Sequence, residues 1–379
     1  MRRITSIDIV RGLVMILMAL DHTRDFLHTG LVPALDLDKT TPILFLTRWI
    51  THLCAPSFVF LSGTSAFLSV QRTGNIRSSR RFLLTRGLWL ILLECTLISF
   101  LIWADVHFRT LFLQVIFAIG SGFVLLSLLL KIRARWLAVI GLALIFGHGL
   151  VTGTGPMQFL SILFLPAIKQ VNPNFTLVYQ YPVLTWFGIM LTGYACGSLF
   201  LSPEKERRRW FLRIGLGALA LFVLLRWTNL YGDPAPWSHQ RSPLFTFLSF
   251  INVSKYPPSL LYTLVMLGIM FLFLAAAEGR DNVCTRVLRV YGSVPMYYYL
   301  WHLFLIHAAM FIMVFAQGFR PSDLVFGTFQ FGRPVSGSGL SLGGVYLVWL
   351  TIVAILYPVC RRWGRYKTAH REKAWLRYL

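Results

Sequence analysis

The sequence predicts an all-α integral membrane protein with about ten transmembrane helices and both termini in the cytoplasm. Apolar residues make up 56% of the 379 residues, charged residues make up only 13%, and the mean hydropathy is +0.66. A soluble domain usually carries about 25% charged residues, so a soluble globular protein and a disordered chain are both excluded. The apolar residues come in runs of about 20, the length that crosses a bilayer as a helix, and Lys and Arg cluster between these runs.

The predicted helices follow the apolar runs along the chain. They are expected at residues 7–27, 44–70, 83–103, 111–130, 136–152, 183–201, 209–227, 259–277, 293–316 and 341–360. A shorter run at 159–165 cannot span a bilayer, so a re-entrant or interfacial segment is expected there. Residues 1–379 are predicted to form one polytopic domain, with a basic cytoplasmic tail at about 361–379.

Lys and Arg set the predicted orientation. With Arg2 and Arg3 placed in the cytoplasm, alternate loops give 25 Lys and Arg on the cytoplasmic side, Arg371 among them, and nine on the other side. Such an asymmetry follows the positive-inside rule and places both termini inside, in the inner (plasma) membrane. Most of the net charge of +22 is thereby explained by membrane insertion rather than by nucleic-acid binding. The basic inner loops would also suit an anionic cofactor.

Two other features of the sequence concern its cysteines and its first apolar run. The five Cys residues form no CxxC pair and have no His-rich partner segment, so neither a disulfide framework nor a metal site is predicted. The first apolar run is not followed by small residues that a signal peptidase would cleave, so we expect it to remain as a membrane helix.

The first predicted helix carries many charges for a membrane segment. It contains Asp8, Arg11, Asp21, His22 and Asp25, and ionisable side chains in a membrane usually face a protein interior or a cavity. Arg11 and His22 are eleven residues apart, so they share a helix face about 16 Å apart along the axis. The helix is therefore predicted to present a polar track, with a guanidinium near the cytoplasmic end and an imidazole near the opposite end.

His22 is the first candidate for catalysis. Asp25 lies one helical turn away and Asp21 precedes it, so either carboxylate could hold one imidazole nitrogen and leave the other as a base. Structural alternatives stay open for each residue. His22 could sit in interfacial water, Arg11 could extend to the inner membrane interface, and Asp8 could belong to a helix-capping box that begins at Thr5.

Other polar side chains lie in segments that could border the same path. His302 is either a donor to a thioester oxyanion or a buried structural histidine, and His307, on a different helix face, does not complete a metal site with it. Glu94 lies within an apolar run, where a structural role is favoured. The outer loops carry polar and aromatic side chains that form either an interfacial belt or a sugar-stacking platform: Tyr179, Tyr181, Trp237, His239, Arg241, Lys255 and Tyr256.

The order of motifs resembles a known family. The opening Arg-Ile-x-Ser-Ile-Asp8-x-x-Arg11-Gly12, followed by Asp21-His22, resembles the start of bacterial membrane proteins related to the catalytic domain of heparan-α-glucosaminide N-acetyltransferase. The spacing of Arg11 and His22 also resembles that of the wider transmembrane acyltransferases that O-acetylate cell-envelope sugars. Residues 55–63, 113–116 and 291–303 resemble later helices of both groups.

The resemblance implies a transmembrane acyltransferase-like fold and an acetyl-CoA-dependent N- or O-acetyltransferase. An acyl group, expected to be acetyl, would pass from cytoplasmic acyl-CoA to a hydroxyl or amine of an extracytoplasmic sugar-type acceptor of the cell envelope. It implies that Arg11 binds the donor and that His22 is the base or the acyl-accepting nucleophile. In the heparan enzyme the catalytic histidine follows a longer polar segment, so His28 is the second candidate. Further residues expected to bind the donor are Gln114, His302 and Arg86.

Two other functions use the same residues. A proton-coupled secondary transporter also needs buried Asp, Arg and His, although no inverted repeat and no paired Gly/Pro-broken helices are visible in the two halves. A non-catalytic sensor or assembly subunit is the third hypothesis. The expected partners are the lipid bilayer, acyl-CoA and an extracytoplasmic glycan or small sugar, with no nucleic acid. The sequence leaves the acceptor, the acyl chain length and the oligomeric state open, a homodimer included.

Overall fold

The computed structural model describes residues 4–29, 33–151, 158–327, 329–335, 337–370 and 372–378. Arg2, Arg3 and Arg371, which contribute to the predicted orientation, lie outside these residues. The helices are α1 Thr5–Leu27, α2 Pro42–Thr51, α3 Cys54–Thr73, α4 Ile76–Leu93, α5 Ser99–Trp103, α6 Val115–Leu129, α7 Ala134–Gly147, α8 Ser161–Phe164, α9 Val183–Ala195, α10 Glu204–Thr228, α11 Pro243–Ile251, α12 Leu260–Ala277, α13 Val283–Ser293, α14 Pro295–Ala316 and α15 Leu342–Ala369.

Seven helical segments are long and apolar enough to cross a membrane within the described part of the chain. They are Pro42–Thr73, Ile76–Trp103, Val183–Leu201, Glu204–Thr228, Leu260–Ala277, Pro295–Ala316 and Leu342–Ala369. The remaining predicted runs correspond to α1, which is rich in charge, and to α6 and α7, which have 15 and 14 residues. A mainly helical, multi-pass membrane protein is therefore confirmed. The number of ten spans and the orientation of the termini stay predictions.

The second predicted run, 44–70, is two helices rather than one. α2 ends at Thr51, and α3 begins at Cys54. Pro56 lacks the N–H that would continue the helical ladder to the carbonyl of His52. That carbonyl instead accepts a hydrogen bond from the hydroxyl of Tyr262, at 2.8 Å. The break thus has a local cause in the sequence and a tertiary partner in α12.

The prediction of an all-α fold is wrong in the outer loops. Strands β1 Thr110–Leu113, β2 Ala167–Asn172 and β3 Phe175–Tyr179 form one sheet, in which β3 pairs parallel to β1 and antiparallel to β2. The predicted fourth helix therefore begins as a strand. At the C-terminus, α15 continues as far as Ala369, so much of the expected basic tail is helical.

Helix α1 lies at the centre of the fold, where it packs against α3, α12, α13, α14 and α15. Its crossing with α13 is very close. A Cβ atom on Gly12 would lie 1.9 Å from the carbonyl oxygen of Leu288, and one on Gly292 would lie 1.9 Å from that of Asp8. Only glycine fits at such contacts. Gly12, which follows Arg11, therefore allows α1 to pack closely against α13.

The interpretation of Asp8 as part of a capping box is wrong. A capping box requires Thr5 to be the N-cap residue. Helix α1 instead begins at Thr5 itself, and the preceding Ile4 makes no side-chain cap. The Asp8 carboxylate lies 3.7 Å from the Arg11 guanidinium, one turn along the helix. Asp8 therefore supplies negative charge beside Arg11.

Candidate active site

The N-terminal half of α1, which is predicted to lie on the inner side, borders a cavity of about 210 Å³ that we call the inner cavity. Arg11 and Arg86 both line it, together with Ser62 and Ser65 of α3. The Arg11 side chain is held in place because its Nη2 donates to the Ser65 hydroxyl at 3.0 Å. This cavity therefore has two guanidinium groups and two hydroxyls among mainly apolar walls. The structure places Arg11 and Arg86, two of the residues expected to bind the donor, at the same cavity.

The C-terminal half of α1, which is predicted to lie on the outer side, borders a second cavity of about 110 Å³ that we call the outer cavity. Its polar lining comes from the first helix and from distant segments: Asp21, His22, Asp25, Arg48, Gln114, Tyr181, Lys255, Tyr256 and Tyr299. The sheet helps to build this site, since Gln114 follows β1 and Tyr181 follows β3. Gln114 therefore lines the same cavity as His22, and it does not line the cavity that contains Arg11.

The two cavities meet. Met18, Phe58, Val115 and Tyr299 line both of them. Met18 lies between Arg11 and His22 on α1. We call these four shared side chains the collar. The predicted track therefore follows a line of adjoining cavities from the guanidinium of Arg11 to the imidazole of His22.

His22 is paired with a second histidine. Its Nδ1 lies 2.8 Å from Nε2 of His302, and the two rings are nearly parallel, with an angle of 19° between their planes and their centroids 5.0 Å apart. The other nitrogen of His302, Nδ1, lies 3.2 Å from the carbonyl oxygen of Tyr298. A carbonyl only accepts, so in a neutral His302 the proton is on Nδ1 and Nε2 is an acceptor. His22 must then donate from Nδ1, which leaves its Nε2 with a lone pair.

The carboxylates that were expected to orient His22 have other partners. Asp25 accepts a hydrogen bond from Arg24 at 2.5 Å. Asp21 accepts from Arg48 at 2.6 Å and from the hydroxyl of Thr51 at 2.8 Å. The prediction that Asp25 or Asp21 fixes the imidazole by a hydrogen bond therefore differs from the structure. Guanidinium groups bind the carboxylates because charge-assisted hydrogen bonds are stronger than those from a neutral imidazole.

Comparison with known families adds an independent finding. The family model described as heparan-alpha-glucosaminide N-acetyltransferase, catalytic, matches residues 3–228, which is more than half of the chain. The chain belongs to this family. A search of curated proteins finds no match. Membership implies acetyltransferase-type activity, and the apolar helices place it in a membrane.

The family match covers only part of the site. Arg11, His22, Arg86 and Gln114 all lie within the matched residues. The side chains that complete the outer cavity from the C-terminal third, which include Lys255 and Tyr299, lie beyond it, as does the histidine partner of His22. The C-terminal part of this family member thus supplies part of the environment of its candidate base.

The predicted roles of His302 and His28 do not fit their positions. His302 is fully buried, and both of its ring nitrogens are engaged, so it has no N–H left for an oxyanion. His28 lies beyond the end of α1, where its carbonyl accepts from Arg333 at 3.2 Å. It is not among the described residues that line either cavity around α1. His302 therefore contacts His22 directly, and His28 lines neither cavity among the described residues.

Sequence reasoning missed Tyr299. Its ring lies where the two cavities meet, with its centroid 6.4 Å from that of His22. Its hydroxyl is buried and has no hydrogen-bond partner among the described residues. A buried hydroxyl without a partner is uncommon, because the lost hydrogen bond to water is then not replaced. The tyrosine-rich sequence at 297–299 is a signal, but it does not indicate which of the three rings faces the path.

Glu94 has a structural role at the outer cavity. It begins a π-helical turn, Glu94–Ile98, between α4 and α5, and it is fully buried. Its Oε1 accepts from the backbone N–H of Gln114 at 3.0 Å. Glu94 therefore fixes the corner between β1 and α6 from which the Gln114 side chain enters the cavity.

The electrostatics of the outer cavity favour negative charge. Burial acts to raise the pKa of the Tyr256 hydroxyl, but the positive charges of Lys255 and Arg48 outweigh it and hold that pKa below its ordinary value. An ionised tyrosine is favoured where the local potential is positive. Within the described residues, no three His, Cys, Asp or Glu side chains gather where they could hold a metal ion.

A large basic cleft lies beside the inner cavity. Its volume is about 1070 Å³. Val294 lines the cleft and Pro295, the next residue, lines the inner cavity, so the two spaces are adjacent. The basic side chains that line the cleft come from α3, α13 and α15: Arg72, Arg286, Arg289, Arg361, Arg365 and Lys367. This cleft is therefore a concentrated positive surface at the end of the molecule opposite His22.

Proposed function

We propose that the protein transfers an acetyl group from acetyl-CoA, bound at the basic end, to a hydroxyl or amine of a sugar-type acceptor in the outer cavity. His22 is the proposed general base. The observation that carries this proposal is the pairing of His22 with His302, which leaves Nε2 of His22 as the accepting nitrogen in a cavity that adjoins the Arg11 cavity. Family membership supports the acetyltransferase chemistry.

The donor end suits coenzyme A. Its phosphates are anions, and Arg and Lys side chains bind phosphate through charge-assisted hydrogen bonds. The basic cleft would hold the phosphorylated nucleotide, and Arg11 and Arg86 would hold the polar groups of the arm as it enters the inner cavity. The thin pantetheine arm matches a passage with apolar walls at Met18, Phe58 and Val115. The thioester then arrives beside Tyr299 and His22.

The chain supplies the proton transfers. His22 Nε2 takes the proton from the acceptor as its oxygen or nitrogen attacks the thioester carbonyl. Tyr299 donates a hydrogen bond to the oxygen that becomes negative, a role that its unpaired hydroxyl suits, and it keeps its proton throughout. The C–S bond then breaks, and the thiolate of CoA takes the proton from the His22 imidazolium. His302 accepts from Nδ1 of His22 throughout and stabilises the positive ring.

A variant of this route acylates the enzyme. Nε2 of His22 would attack the thioester carbonyl, and the C–S bond would break to release the CoA thiolate and leave an acetylated imidazolium. The acceptor would then attack the acetyl carbon, its proton would pass to the thiolate, and His22 would be released as the neutral ring. Direct transfer is preferred here because the cavity residues Asp21, Arg48 and Lys255 provide a polar site for the acceptor beside His22 at the same time. Isolation of acetylated protein without acceptor would select the two-step route.

The test is His22→Ala in the purified full-length protein with radiolabelled acetyl-CoA and a panel of sugars. Loss of a general base lowers the rate by about 10²- to 10⁴-fold. His107→Ala, an exposed histidine in the outer loops, is the matched control and should retain activity. Thermal stabilisation by acetyl-CoA should persist in both variants, since Arg11 and the basic cleft are intact. An unchanged rate of acetyl transfer by His22→Ala contradicts the proposal. Loss of acetyl transfer in His28→Ala alone would assign the role of general base to His28.

The transporter hypothesis is tested by the same preparation. Proteoliposomes that show counterflow of a solute without any dependence on CoA would favour a transporter and contradict acetyl transfer as the function. Acetyl transfer that requires acetyl-CoA, with no counterflow, favours the enzyme.

A further inference from the structure

Lys255 is a buried cation in the outer cavity. Its side chain lines that cavity, yet the residue is only 8% exposed. It lies in the loop between α11 and α12, and the loop is held on both sides by one carboxylate. Asp233 accepts from the backbone N–H of Ser254 at 2.8 Å and from the hydroxyl of Ser259 at 2.6 Å. The backbone on both sides of Lys255 is therefore held in place by hydrogen bonds, which fixes the position from which its side chain enters the cavity.

The other charges around this cavity compensate one another. Arg48 binds both carboxylate oxygens of Asp21, each at 2.6 Å. Arg24 lies 2.9 Å from Asp21 and 2.5 Å from Asp25. Two guanidinium groups thus face two carboxylates. Lys255 adds one further positive charge to this group.

No carboxylate of the described residues lies within ion-pair distance of the Lys255 ammonium. Its ammonium lies 5.1 Å from the centre of the Tyr256 ring, a distance typical of a cation–π contact, and it also interacts with the hydroxyl of the same tyrosine. These contacts with one tyrosine compensate only part of the cost of removing an ammonium group from water. A ligand that brings a negative charge into the cavity would complete the pairing.

We propose that the acceptor carries an anionic group, a carboxylate or a phosphate, and that Lys255 binds that group in the outer cavity. This inference rests on the proposed function, because it names the class of acceptor that the same site would take. The rings of Tyr181 and Tyr256 line the same cavity, with their centroids 5.4 Å apart, and aromatic rings suit the apolar face of a sugar ring. The ring would then lie between the lysine and His22, with the anionic group at one end and the reacting hydroxyl or amine at the other.

Binding of the donor does not account for the positive charge of Lys255 in the outer cavity. The phosphates of CoA match the basic cleft at the other end of the molecule, and the collar at Met18, Phe58, Val115 and Tyr299 separates that end from Lys255. The positive charge in the outer cavity therefore belongs to acceptor recognition. Lys255 is proposed as a specificity residue that touches the acceptor and not as a participant in the acyl transfer itself.

The experiment compares matched acceptors with the wild-type protein and three lysine variants. The acceptors are glucose, glucuronate, glucose 6-phosphate and glucosamine, which share a ring and differ in charge. We expect kcat/KM for an anionic acceptor to exceed that for glucose by about tenfold or more, the usual effect of one charged hydrogen bond. In Lys255→Gln this ratio should fall towards one, and Lys255→Arg should restore it. Lys169→Gln, an exposed lysine on β2, is the matched control and should keep the ratio.

A binding measurement separates this inference from the proposed function. Glucuronate or glucose 6-phosphate should raise the melting temperature of the wild-type protein and not that of Lys255→Gln, whether or not acetyl transfer occurs. Stabilisation by only one of the two anions identifies the carboxylate or the phosphate as the recognised group. Equal kcat/KM for glucose and its anionic relatives, with transfer intact, overturns the inference and leaves the function standing. A preference for glucosamine, or a ratio unchanged in Lys255→Gln, overturns it as well.

Discussion

Replacement of His302 tests how the candidate base is prepared. The hydrogen bond from His22 Nδ1 to His302 Nε2, 2.8 Å long, is buried on the His302 side and fixes which nitrogen of His22 faces the cavity. A buried neutral hydrogen bond contributes about 0.5–1.5 kcal/mol, which is about two- to tenfold in the population of the productive tautomer. His302→Leu removes this acceptor. His302→Gln keeps it, because the side-chain oxygen of glutamine can occupy the position of Nε2.

The assay is the steady-state rate of acetyl transfer by the two variants, with the KM for acetyl-CoA measured in parallel. We expect kcat to fall by about two- to tenfold in His302→Leu and to be largely retained in His302→Gln, with the KM for acetyl-CoA unchanged in both. The KM should not change because the Arg11 cavity and the basic cleft lie on the other side of the collar. Equal loss in the two variants, at equal melting temperature, would refute the tautomer argument. An unchanged kcat in His302→Leu would refute it too.

Two further predictions concern the donor site and the central helix crossing. Arg11→Gln should raise the KM for acetyl-CoA by about tenfold or more with a smaller effect on kcat, as expected for a lost charged hydrogen bond, and Arg77→Gln, exposed on the same end, should have neither effect. Gly12→Ala should destabilise the protein by about 1–3 kcal/mol, because its Cβ would meet a backbone oxygen at 1.9 Å. In thermal denaturation Gly217→Ala, which meets no atom within 4 Å, should show no such loss.

Much of the helical framework could be predicted from the sequence, because an apolar run of membrane length has few other solutions. The strands could not. β1 has four residues and continues into the apolar sequence of α6, so composition alone assigns it to the helix. Its partner β3 lies more than 60 residues further along the chain, and pairing at that distance leaves no local pattern.

The residues of the candidate site that lie on α1 could be predicted from the sequence, but the partner of His22 on another helix could not. The face that joins Arg11 to His22 follows from helical periodicity, and the structure places both side chains in adjoining cavities. The partner of His22 is 280 residues away on α14, so no spacing rule could identify it. Asp25 was the local choice, but Arg24 is charged, adjacent to it and buried, and it binds the carboxylate instead. Spacing along the helix indicates which side chains are near each other. Which of them form a hydrogen bond depends on whether a stronger donor, here a guanidinium group, lies equally close.

A structure determined with acetyl-CoA bound would show directly whether the donor reaches His22 from the basic cleft. We expect density for the nucleotide in the basic cleft and for the pantetheine arm through the inner cavity, with the thioester at the collar between Tyr299 and Nε2 of His22. A donor bound with its thioester away from His22, or a collar that stays closed between an occupied inner cavity and an inaccessible outer one, would contradict this expectation.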